Sequence, residues 1–162
     1  MLRSRQGDAK VMSYHRFEDD EYWENCPPEL ESMRADNAGN VRNAYFLMGD
    51  QSSDPPTVMI MDLAPGIIVR RHFHDCARVE VVIRGEIHVD GRVLRPGDVM
   101  TAGSLEAYGP HIAGPDGATT AEVFGAFHAA CEANYPTEAG VVTVDLTKPG
   151  AMARRPPLPT SS

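Results

Sequence analysis

A chain of 162 residues with 42% hydrophobic side chains can bury one core, and its 13 prolines and 14 glycines suit a turn-rich β architecture better than a helical one. The formal charge of −8 and a pI near 5.1 leave no basic face for a nucleic-acid backbone. No stretch approaches the roughly 20 apolar residues that span a membrane, and MLRSRQGDAK lacks the apolar segment of a signal peptide, so a cytoplasmic protein without a membrane partner is expected.

Taken in chain order, residues 1–40 read as an arm outside the main fold. Glu18, Asp19, Asp20, Glu21 and Glu24 crowd around Tyr22 and Trp23, and Pro27-Pro28 leads into a short helix over residues 29–35 with acids in its first turn. The acids read as a solvated face. The aromatic pair predicts that the arm docks on the main fold or on a second subunit.

Residues 41–135 carry the strands. Residues 58–63 are apolar and lie between Pro55-Pro56 and Pro65-Gly66. His72-Phe73-His74 then opens a strand running to a turn at Gly85. Residues i and i+2 of a strand share a face, so both imidazoles are expected on one side with Arg70, Val82 and Cys76. Asp90-Gly91 predicts a type I′ hairpin turn between residues 87–89 and 92–94. Pro96-Gly97-Asp98 turns the chain into residues 99–101, and residues 119–127 give a last long strand. Short strands at this spacing predict a sandwich or barrel. Residues 136–162 drift, after an apolar run at 141–146, into a Pro-rich tail expected to be disordered.

Two imidazoles on one face can bind one metal ion, and imidazole suits zinc, copper, iron and nickel alike. The same pair can also be surface histidines at a loop end. Cys26, Cys76 and Cys131 read as reduced thiols; Cys76 is either a soft third ligand or a small buried hydrophobe. His88 is expected at a surface or cross-strand position, and His128 in a packing role beside Phe124 and Phe127. In residues 78–84, Val79, Val81 and Ile83 point away from the histidines. That outer stripe needs a cover, either the arm or a second subunit, and a homodimer is expected.

The run from Asp62, DLAPGIIVRRHFHDCARVEVVIRGEIHVDGRVLRPGDVMTAGSLEAYGPH, resembles the cupin superfamily over about residues 58–125. Gly66, His72, His74 and Gly85 fall on that family's first motif, and Pro96-Gly97 opens its second. The resemblance implies an all-β, double-stranded β-helix (jelly-roll) barrel holding a divalent metal: iron, zinc, nickel, copper or manganese. Two positions depart from the pattern. Arg78 stands where cupins usually carry the ligating glutamate, and Tyr108 where they carry the third histidine. Glu80, two residues on and on the same face, and His111, beyond Gly109-Pro110, are the nearby substitutes, and a β-bulge can re-aim either. A His72/His74/His111 set resembles the three-histidine iron site of the acetylacetone-cleaving dioxygenases. With Glu80 the set resembles the 2-His-1-carboxylate site of non-haem iron oxygenases.

Arg78 cannot coordinate a metal. Facing inward it would attract a carboxylate or phosphate, or pair with Glu80 or Asp75. Three functions follow. The first is a metal-dependent oxygenase acting on a small carbonyl or phenolic compound, Arg78 orienting an anionic or enolisable substrate and Tyr108 stabilising charge on oxygen. The second is a metal-free pocket for a small anion. The third is a metal-independent isomerase or cyclase with a histidine base.

Overall fold

Among residues 12–158, which a computed structural model describes, β-periodic segments become nine strands. Residues 1–11 of the expected arm and 159–162 of the expected tail lie outside the described residues. The strands are β1 (Val41–Leu47), β2 (Thr57–Leu63), β3 (Ile68–Val69), β4 (Arg78–Val89), β5 (Arg92–Leu94), β6 (Val99–Ala102), β7 (His111–Phe124), β8 (Glu132–Thr137) and β9 (Gly140–Asp145). Three short helices, α1 (Asp20–Glu24), α2 (Glu31–Asp36) and α3 (Phe127–Ala130), complete the regular elements with short 3-10 turns. None of these helices is long and apolar enough to cross a membrane.

All pairings are antiparallel. One sheet runs β1-β2-β7-β4-β5, with β3 joined to β7 and β6 to β4, and β8-β9 form a separate hairpin. The long strands β4 and β7 hold the barrel together along nine paired positions interrupted by two register shifts. The Asp90-Gly91 turn has positive φ at both residues, as a type I′ hairpin requires.

Three expectations are corrected. His72-Phe73-His74 does not open a strand. The segment between β3 and β4 is irregular, held by single bridges from His72 to Tyr108 and from Phe73 to Asn134. Gly85 does not end β4, which passes through it in a bulge, with Arg84 exposed at the register shift against Asp62. The C-terminal segment is ordered through Leu158, with a 3-10 turn over Ala151–Arg154 whose Ala151 is fully buried.

Alternation sorts each strand into an inner and an outer face. Inside, Met61, Leu63, Val82, Ile87 and Val89 form one core, while Tyr45, Phe124, Phe127, Tyr135 and Leu146 pack with Leu30 and Met33 of the arm into another. Outside, Trp23 of α1 covers Ala44 and Ile60 of β1 and β2, so the aromatic pair docks on the barrel's own wall. Val79 and Ile83 of β4 stay exposed beyond that cover.

Candidate functional site

Seven side chains gather in the barrel around the HxH segment, and each is placed by a definable local cause. His72 and His74 reach inward from the irregular segment, their ring centroids 5.0 Å apart. Backbone pairing of His72 with Tyr108 carries the phenol alongside. Arg78 and Glu80 occupy inward positions of β4, and Glu122 stands directly opposite Glu80 on β7. His111 is the first residue of β7, fixed by its pairing to Val69.

His72 Nδ1 lies 2.6 Å from the Arg70 carbonyl, so that nitrogen carries the proton and donates; Nε2 then accepts from the Tyr108 hydroxyl at 3.1 Å. Burial raises the Tyr108 phenol well above its ordinary range, which keeps it an O–H donor at neutral pH. Burial pushes the His72 imidazole down to about 3, helped by His74, and the His111 imidazole to about 4, helped by Arg78. His74 is lowered as well, first by burial. All three are therefore neutral, with lone pairs available. Buried His74 Nδ1 and His111 Nε2 have no hydrogen-bond partner among the described residues.

These shifts have a consequence for stability. A histidine whose folded pKa lies below its unfolded value of 6.5 stabilises fully above 6.5 and loses that contribution as pH falls toward the folded value. Metal-free protein should therefore lose stability between about pH 6.5 and 4. Urea unfolding across that range checks this, and His111→Gln should flatten the slope.

Arg78 is the centre of the charge arrangement. Its guanidinium bonds Glu80 Oε2 at 3.0 and 3.2 Å, lies 3.7 Å from Glu122 Oε2, and stacks with Cζ 3.6 Å from the Tyr108 ring centre. One cation thus serves two buried carboxylates. Burial and the facing Glu122 carboxylate push Glu80 up to about 8 despite Arg78. Glu80 Oε2 also lies 3.5 Å from His111 Nδ1, while Oε1 has no partner.

A cavity of about 200 Å³ opens beside this cluster, between the two inner cores. His72, His74 and Glu122 line it together with apolar side chains such as Met33, Met61, Phe124 and Met152. Arg78 does not line it and pairs with Glu80, one of the two roles open to an inward arginine at this position. Cys76 packs half-buried against the Phe124 core, the small-hydrophobe reading of the two its position allowed. One expectation changes. His128 is exposed, not packed, and bridges Asp54 at 2.6 Å and Asp75 at 2.9 Å. Glu122 was missed, although its alternation with Phe124 in the last strand placed it inward.

The donor chemistry fits a divalent metal: three neutral imidazoles, two of them with nitrogens unpartnered among the described residues, beside the Glu80–Glu122 acid pair. The grouping is less complete. Among the described residues no three His, Cys, Asp or Glu side chains stand together as a ready metal cage. Tyr108 holds the His72 nitrogen that a metal would take, and Arg78 holds Glu80.

No protein-family model and no curated protein matches the chain. Solved structures do. An acetylacetone dioxygenase from Acinetobacter johnsonii superposes with a TM-score of 0.53 at 12% identity, covering 95% of this chain and 100% of the other. An RmlC-like cupin protein from Ralstonia eutropha JMP134 gives a TM-score of 0.49 at 14% identity, over 72% of each chain. The chain therefore shares the fold of the acetylacetone dioxygenase, an antiparallel jelly-roll barrel, as its motifs implied.

Proposed function

We propose that the chain is a small metal-binding cupin in which His72, His74 and His111 hold one divalent ion beside a cavity for a small carbonyl or phenolic compound. What supports this is the His72–His74 pair, its ring centroids 5.0 Å apart, with buried nitrogens on His74 and His111 that have no partner among the described residues. Unsatisfied buried nitrogens are costly in a folded interior unless something binds them. The three-histidine set is preferred over Glu80 as ligand because Glu80 Oε2 is committed to Arg78 and faces His111.

Bound there, such an ion would supply Lewis-acid polarisation or oxygen binding at an open position. The chain's own residues do the rest. The Arg70 carbonyl fixes the His72 tautomer and ring orientation, as outer partners of ligating histidines do. The Tyr108 hydroxyl, freed from His72, can donate to a substrate oxygen. The apolar walls exclude water from the reacting end. Arg78 keeps Glu80 and Glu122 in place, and Glu80 in turn positions His111.

Elemental analysis of protein purified without a histidine tag and without chelator tests this. Near-stoichiometric iron, zinc, nickel, copper or manganese is expected, and His72→Ala/His74→Ala should lose it while remaining folded. Oxygen consumption with small carbonyl or phenolic compounds then tests the oxygenase assignment. Protein that retains no metal after reconstitution would overturn the proposal and leave a metal-free pocket.

A further inference from the structure

The cavity carries a second polar feature away from the histidines. Arg155, just past the C-terminal 3-10 turn, lines the cavity half-buried, its Nε donating to the Met152 carbonyl at 2.9 Å. Burial lowers its pKa, and the nearest charged or titratable groups acting on it are Tyr135 and Arg70. Arg70 donates to the Pro156 carbonyl, tying the C-terminal segment to the end of β3. Neither arginine has a carboxylate within 4 Å among the described residues, although the chain has 23 acids. The hydroxyl of Tyr135, a buried residue that also lines the cavity and whose ring lies 5.9 Å from that of His72, has no hydrogen-bond partner among the described residues.

The contrast with Arg78 is informative. There the fold supplies two carboxylates for one guanidinium. Here Arg155 and Tyr135 line one cavity, Arg70 stands beside them on the Pro156 carbonyl, and neither guanidinium is paired with a carboxylate among the described residues. Like charges partly withdrawn from water repel, and two forked donors with a hydroxyl match the acceptor geometry of a carboxylate. We propose that Arg155 and Tyr135, with Arg70 adding its charge from beside the cavity, bind the carboxylate of a small organic acid whose apolar body fills the cavity toward His72 and His74. The ligand class is thus a monocarboxylic acid with an aromatic or branched aliphatic body. This rests on the cavity being the ligand site of the proposed function, and not on the metal itself.

Titration calorimetry on the full chain tests it with three acids as probes, benzoate, phenylacetate and 3-methylbutanoate, each beside its neutral amide. At least one acid should bind ten-fold or more tightly than its amide, and Arg155→Gln should erase that preference while leaving the melting temperature and metal content unchanged. Arg70→Gln should weaken acid binding in the same direction. Acid and amide binding alike, no acid binding at all, or Arg155→Gln binding as the parent does would each overturn the inference. Failure of the metal reading is separable: metal would then be lacking while acid selectivity persists.

Discussion

Replacing Arg78 with leucine should destabilise the protein by about 3–5 kcal/mol, the usual cost of removing one partner from a buried ion pair. Strand pairing sets Glu80 and Glu122 face to face, with side-chain exposures of 1% and 6%, and Arg78 is the cation between them. Without it two carboxylates face each other in a nearly dry interior, and directly opposed like charges weaken a strand pair. The loss should depend on pH. Glu80 already titrates near 8, so in the variant the acids can take up protons instead of repelling. Folding of the variant is then favoured at low pH, and the deficit relative to the parent is largest above about pH 8. Denaturant unfolding at pH 6 and pH 9 measures both effects. Adding Glu80→Gln should recover part of the loss, since one of the stranded acids is then gone. A deficit under about 1 kcal/mol, the worth of an exposed pair, would show that the three side chains are not coupled as their distances indicate.

The second large effect is expected at Gly85. Its φ of +70° lies in the left-handed region, and a Cβ there would come 2.1 Å from the Gly117 carbonyl oxygen and 2.9 Å from its carbon. The obstacle is backbone of β7, which cannot swing aside as a side chain would. An L-residue pays roughly 1–2 kcal/mol for the left-handed conformation alone. Displacing the β4–β7 contact adds to that, so Gly85→Ala should cost more than about 2 kcal/mol. Gly39→Ala is the control. Its φ is +86°, but a Cβ there meets nothing within 4 Å, so only the conformational part should appear. Thermal melts of the two variants compare them directly; equal losses would mean that the Gly117 contact carries no energy.

Much of the barrel was legible because its turns are chemically specific. Asp90-Gly91, Pro65-Gly66 and Pro96-Gly97 each require a positive φ that glycine supplies, and each turn formed where the sequence placed it. The glycine at 85 was legible as a fixed point but not as a bulge, since only pairing across β7 reveals which of the two it is. The start of β7 was hidden for a related reason. Gly114-Pro115-Asp116-Gly117 reads as a turn, and nothing local shows that a strand of 14 residues runs through it. That strand is what fixes His111 against Val69. Glu80 and Arg78 were recognisable by parity, whereas their joint pairing with Glu122 depended on cross-strand register. The cavity was the least legible part. Met33, Tyr135, Leu146 and Met152 come from four separate segments, and no periodicity relates them. Arg155 sits in a stretch whose composition suggests disorder; the burial of Ala151 anchors it instead.

Both ends of the described chain contribute to one cavity: Met33 and Asn37 from α2 and its cap, Met152 and Arg155 from the C-terminal turn. The barrel supplies a frame with imidazoles at fixed stations, while the terminal segments close one side of the wall. Frame and wall are therefore separable in sequence. Exchanging these two segments can redraw what enters without disturbing a single strand pair, and a pocket built this way is complete only after the turn over Ala151–Arg154 has been synthesised and docked.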